Sequence, residues 1–108
     1  MASDRLRGCS LAVIEGCLRA AADGPFFEDR EFSLLHGVDR QEVRSTLATF
    51  KCAELDETAE LAIHNSMGNL LGYPHGMADE IPNFVPGGMK AIQETFTIWL
   101  DNAPSRGR

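Results

Sequence analysis

The chain has 108 residues, of which 44% are hydrophobic and 24% charged, and its formal net charge is −6. This composition excludes an intrinsically disordered chain, and the length suits one domain with one core, spanning residues 1–108. The acidic balance argues against nucleic acid as a partner, because phosphate binding draws on a basic field.

Apolar spacing is helical nearly throughout. In the first predicted helix Leu6, Cys9, Ser10, Val13, Cys17 and Leu18 follow the i, i+3, i+4 rule, with Ser3 available as N-cap and Gly24-Pro25 as the stop. The apolar run "CSLAVIEGCL" inside it is broken by Glu15 and closed by Arg19, so it suits neither a membrane span nor a signal h-region. Three cysteines, an odd number, fit a reducing, cytoplasmic setting. Cys9 and Cys17, eight positions apart on that helix, would stand about 12 Å apart, beyond the roughly 7 Å that a disulfide allows between Cα atoms.

A short second helix is predicted from Glu28 to His36, presenting Phe32 and Leu35 and ending on Gly37. The third opens on the strongest start signal in the chain. Asp39 is placed as N-cap, Glu42 completes a capping box, and Val38 is positioned to staple against Val43. Its inward face is Val43, Leu47 and Phe50. Asp56 or a neighbour can cap a fourth helix bearing Leu61, Ile63, Met67, Leu70 and Leu71. A last helix carries Met89, Ile92, Phe96, Trp99 and Leu100 on one stripe and ends at Ala103-Pro104. No segment alternates with period two long enough to form a strand, so the expected fold is an all-α bundle of four to five helices.

The fourth and fifth helices are joined by "GYPHGMADEIPNFVPGG", too long for an ordinary connection. We expect an ordered loop with a helical turn near "MADEI", and Tyr73, Met77 and Phe84 as apolar contact residues. The alternative is that these residues fold back over the end of the core. Charge is just as uneven. Between Cys52 and Met89 stand six acids, Glu54, Asp56, Glu57, Glu60, Asp79 and Glu80, without a lysine or arginine. The remaining ten acids and ten bases cancel, so this segment holds all the net charge. Three of its acids fall at the start of the fourth helix, where they complement the helix dipole.

These features lead to three functional expectations. The first is a small acidic protein-binding module that meets a basic partner through residues 52–89, with Glu57, Glu60, Tyr73, His75, Met77, Asp79, Glu80 and Phe84 as contacts. In size, charge and helical class such a chain resembles the acidic immunity proteins that inhibit basic nuclease toxins; a regulatory adaptor has the same character. The second is a helix-turn-helix within residues 32–51, where Ser33, Gly37, Val38 and Val43 match the motif and Arg40, Gln41 and Arg44 would contact DNA. His36 and Thr46 occupy positions of that frame where apolar residues are expected, and the first 51 residues hold eight acids against seven bases. The third is a small-ligand or metal-dependent enzyme near His64 and His75. No HExxH or paired CxxC spacing and no phosphate loop supports it, so neither cofactor, metal nor catalytic residue is expected. The segment "HNSMGN" is poor helix sequence. Its expected compensation is packing, with Gly68 a flat spot near Gly16 and Asn65 or Asn69 bonding a buried backbone group.

Overall fold

The structure is a computed structural model that describes residues 4–52 and 54–103. Five α-helices occur among them: α1 (Leu11–Asp23), α2 (Asp29–His36), α3 (Arg40–Thr49), α4 (Glu57–Gly72) and α5 (Gly88–Asp101). Short 3-10 turns lie at Asp4–Leu6 and Ala78–Asn83, and the described residues contain no strand. The chain is therefore the expected all-helical bundle with one long, structured loop. No helix among the described residues is long and apolar enough to cross a membrane.

The start of the first helix differs from the expectation. Gly8 takes φ +79, a left-handed conformation that cannot propagate a right-handed helix, so the chain breaks after the first 3-10 turn. Ser10 then caps α1, its hydroxyl accepting from Val13 N at 3.2 Å. Ser3 lies outside the described residues, and Cys9 falls in the connection rather than on the helix. Cys9, Cys17 and Cys52 are all free thiols, and burial pushes Cys17 up to about 12.

The other boundaries follow local chemistry. Gly37 closes α2 with φ +70. The capping box at α3 is complete: the Asp39 carboxylate accepts from Glu42 N at 2.7 Å, and Glu42 accepts from Asp39 N at 2.9 Å. Val38 and Val43, the predicted staple pair, are both buried. Asp56 caps α4 by accepting from Ala59 N at 2.8 Å.

Helix α4 is the axis of the fold, packed against α1, α2, α3 and α5. Ile63, Met67 and Leu70 join Ile14, Leu18, Val43, Ile92 and Trp99 in a fully buried core. The predicted inward stripes are right in the middle and wrong at two ends: Leu61 is 40% exposed and Leu100 46%. Each stands beside fully buried residues, Ala62 and Ile63 in α4 and Trp99 in α5, so the exposed leucines lie at the edge of the buried face and not beyond it.

The polar run of α4 resolves into specific bonds. Asn65 Nδ2 donates to His36 O and Asn69 Nδ2 to Leu35 O, each at 2.8 Å. Spaced by one turn, the two amides satisfy carbonyls at the end of α2 that have no partner within that helix. The glycines are placed otherwise than expected. A Cβ on Gly16 would sit 2.4 Å from Phe84 O, so α1 is pressed against the long loop there, while Gly68 faces the Phe96 ring.

Candidate functional site

The helix-turn-helix frame holds its register in the burial of its core positions. His36 and Thr46 are themselves buried, at 0% and 5% exposure, whereas Leu35 and Leu47 are only partly so. His36 manages this by donating from Nδ1 to Phe32 O at 3.1 Å, stacking on Phe32 and packing edge-on to Phe27. Burial, and secondarily the Arg40 charge, lower its affinity for a proton against the raising effect of the Phe32 bond. Thr46 returns its hydroxyl to Glu42 O at 3.0 Å. Helix α2 packs chiefly on α4, not on α3.

The arginines of that frame are bound into the fold. Arg40 donates to Ala21 O at 3.1 Å, Ala22 O at 2.8 Å, Phe27 O at 2.7 Å and Asp29 at 3.0 Å, and lies 4.4 Å over the Phe32 ring. Arg44 reaches Asp23 at 2.8 Å and Ala22 O at 3.3 Å. Together they close the C-terminal end of α1, where unpaired carbonyls and the helix dipole favour cations.

The eight contact residues expected from sequence do not form one patch. Tyr73, His75 and Phe84 gather around Phe26 and Phe27. The Phe27–Tyr73 centroids are 5.6 Å apart, Phe26–His75 5.1 Å and Phe26–Phe84 5.7 Å. The Tyr73 hydroxyl donates to Glu31 at 2.6 Å, and that bond raises the phenol above its ordinary pKa. His75 bonds Leu70 O at 3.0 Å through Nε2 and accepts from Met77 N at 2.9 Å on Nδ1. These three side chains cover the end of the core; the alternative reading of the loop gave that place to Tyr73, Met77 and Phe84, and it fits Tyr73 and Phe84 but not Met77. Met77 at 38% exposure, with Asp79 and Glu80, remains outward.

The acids divide in the same way. Glu60 pairs with Arg5 at 3.1 Å. Ten residues of α4 separate Glu60 from Leu70, where the His75 turn is anchored, and at 1.5 Å per residue that is about 15 Å. Glu54, Asp56 and Glu57 therefore stand at one end of α4 and the Asp79–Glu80 pair belongs to the loop that leaves its other end. Among the described residues none of these five acids has an ion-pair partner, while six of the bases, Arg5, Arg7, Arg19, Arg40, Arg44 and Lys51, do.

At the first of these ends a cleft of about 340 Å³ opens between α3 and the start of α4. Glu42, Ser45 and Thr49 line one wall, Glu54, Asp56 and Thr58 the other, with Phe50 and Leu55 as apolar surface. Its lining includes no lysine or arginine. Sequence reading missed the α3 contribution: Glu42 was legible only as a capping residue, and its nearness to Glu54 arises from the packing of α3 on α4.

The histidines do not converge. His64 accepts from Trp99 Nε1 at 3.1 Å and packs on Phe96, whereas His75 belongs to the loop turn. Among the described residues no group of three or more histidine, cysteine or acidic side chains is arranged to hold a metal ion. No protein-family model matches the chain, and searches of curated proteins and of solved structures return no match.

Proposed function

We propose that the chain is an acidic helical binding module that engages a basic protein, in the manner of an inhibitor or a regulatory adaptor. The supporting observation is the uncompensated charge at the α3–α4 cleft. Glu42, Glu54 and Asp56 line it, exposed and without an ion pair among the described residues, and Glu57, equally exposed and unpaired among them, follows Asp56 in the first turn of α4. A carboxylate-lined cleft floored by Phe50 and Leu55 suits a lysine or arginine side chain, whose stem is apolar and whose head is cationic. Met77, Asp79 and Glu80 are a second outward group, on the loop that leaves the other end of α4.

The test is association kinetics with the natural partner recovered by co-purification. Glu54→Gln with Glu57→Gln should slow association and flatten its dependence on salt, because charges at the edge of an interface act mainly on encounter. Asp79→Asn with Glu80→Gln measures the second surface separately. Unchanged association rates at low salt in both double variants would remove this reading.

A further inference from the structure

His64 sits in a network that joins three parts of the chain distant in sequence. Trp99 on α5 donates its indole N–H to His64 Nδ1 at 3.1 Å. Indole is a donor only, so Nδ1 must carry a lone pair and the imidazole must be neutral. Arg5, from the first 3-10 turn, has its guanidinium carbon 3.8 Å from the centroid of the same Trp99 ring, donates to Trp99 O at 3.3 Å and pairs with Glu60 at 3.1 Å. Asn102, just past α5, donates to Arg5 O and Arg7 O, each at 2.8 Å.

From these contacts we propose that His64 and Trp99 form an acid-sensitive latch that holds the N-terminal turn and the end of α5 against α4. Adding a proton to Nδ1 sets one N–H against another and ends the Trp99 bond. It also places a second cation beside the Arg5 guanidinium. Glu60 stands one turn before His64, the spacing at which a carboxylate and a cation pair on a helix, so the new imidazolium competes with Arg5 for Glu60. One proton thus removes the indole bond and loosens the ion pair that keeps the N-terminal turn in place.

The other titratable and charged groups around the site, among the described residues, are placed as follows. Asp4 and Arg7 pair with each other at the surface, at 3.0 Å. The Cys9 thiol approaches Arg5 O at 3.6 Å and is raised by burial. On α5 the neighbours are Trp99 and Phe96, and Lys90, Glu94 and Asp101 are exposed. Helix α2 meets α4 through Asn65 and Asn69, with the His36 ring enclosed by Phe27 and Phe32. Toward the core α1 and α3 present apolar side chains, Thr46 and the neutral Cys17 thiol. Burial, with a smaller push from Arg5, keeps His64 below the ordinary imidazole pKa.

Trp99 is the sole tryptophan, so its fluorescence and its indole N–H resonance report the latch directly. Lowering the pH of the full chain from 8 toward 5 should change both in one step with a midpoint below about 6.5, the unperturbed histidine value. The His64 ring resonances should move with the same midpoint, and exchange protection of the Arg7 and Cys9 amides should fall with them. His64→Gln retains an acceptor oxygen but does not titrate, so the step should vanish. A step that persists in that variant overturns the proposal. So does a wild-type titration of His64 that leaves the indole N–H or the Arg7 and Cys9 protection unmoved, and this second measurement needs no variant to fold.

Discussion

The Arg40 guanidinium donates to Ala22 O at 2.8 Å, tying the start of α3 to the last turn of α1. Only 21% of the side chain is exposed, and its other bonds reach Ala21 O, Phe27 O and Asp29. Removing it takes this donor from Ala21 O and Phe27 O at once and leaves Ala22 O with only the longer Arg44 bond at 3.3 Å. Arg40→Ala should therefore cost about 2 to 4 kcal/mol, since each unmet buried acceptor carries a penalty of about 1 to 3 kcal/mol and the gap admits some water. Chemical denaturation provides the measurement. A loss under about 0.5 kcal/mol, typical of a surface change, would contradict the structural role given to this side chain.

Two glycines distinguish close packing from mere helix weakness. A methyl group on Gly16 would meet the Phe84 carbonyl at 2.4 Å, a backbone atom that can move only with the loop. On Gly68 it would meet the Phe96 ring at 3.5 Å, an ordinary contact. Gly16→Ala should lower stability by about 1 to 3 kcal/mol through overpacking. Gly68→Ala should instead be neutral or stabilise by up to about 1 kcal/mol, the helix propensity difference. Unfolding midpoints of the pair, compared under one condition, decide the matter, and a reversed order would refute the packing account.

Asn65 and Asn69 should act locally. Each replaced by alanine leaves one α2 carbonyl without its amide, at a cost of about 1 kcal/mol. The double variant should weaken exchange protection in α2 more than in α1 or α5, because these two bonds attach α2 to the central helix. Uniform loss of protection across all helices would show that α2 has no stability of its own to lose.

His36 predicts a dependence on pH with a definite sign. Its native pKa is lowered, first by burial, so in acid the unfolded chain binds a proton that the native chain refuses. The His36 contribution to stability should be level above about pH 6.5 and decline below it until the native value is passed, adding up to about 1.4 kcal/mol per pH unit to the slope beside a contribution of the same sign from His64. Denaturant midpoints between pH 8 and 5 measure this. His36→Gln should reduce the slope even where it lowers overall stability, and an unaltered slope would assign the effect to another group.

Much of the fold was legible in the residues because its signals are local. A capping box needs only Asp39 and Glu42 three positions apart, and the stop at Gly37 needs only a residue tolerant of positive φ. The same holds for the Asp56 cap and for the apolar spacing that identified five helices. The bonds of Asn65 and Asn69 were legible in kind, since poor helix formers in mid-helix imply a compensating contact, but not in destination.

What tertiary structure decided was the fate of side chains with two possible lives. Tyr73, His75 and Phe84 have the same polarity whether they meet a partner or close over Phe26 and Phe27, and no spacing rule separates the two. Arg40 and Arg44 carry the same charge in a DNA-reading frame and at a helix terminus, and only the packing of α3 on α1 brings the end of α1 within their reach. The acids of residues 52–89 form one block along the chain, yet α4 carries them to opposite ends, because a helix turns sequence neighbours into points about 1.5 Å apart per residue along a rod. The converse relation brings Glu42 and Glu54 to one cleft and Arg5 onto Trp99. Sequence determines which contacts a residue is chemically able to make, and the packing of rigid helices determines which candidates come within the few ångströms over which those contacts have energy.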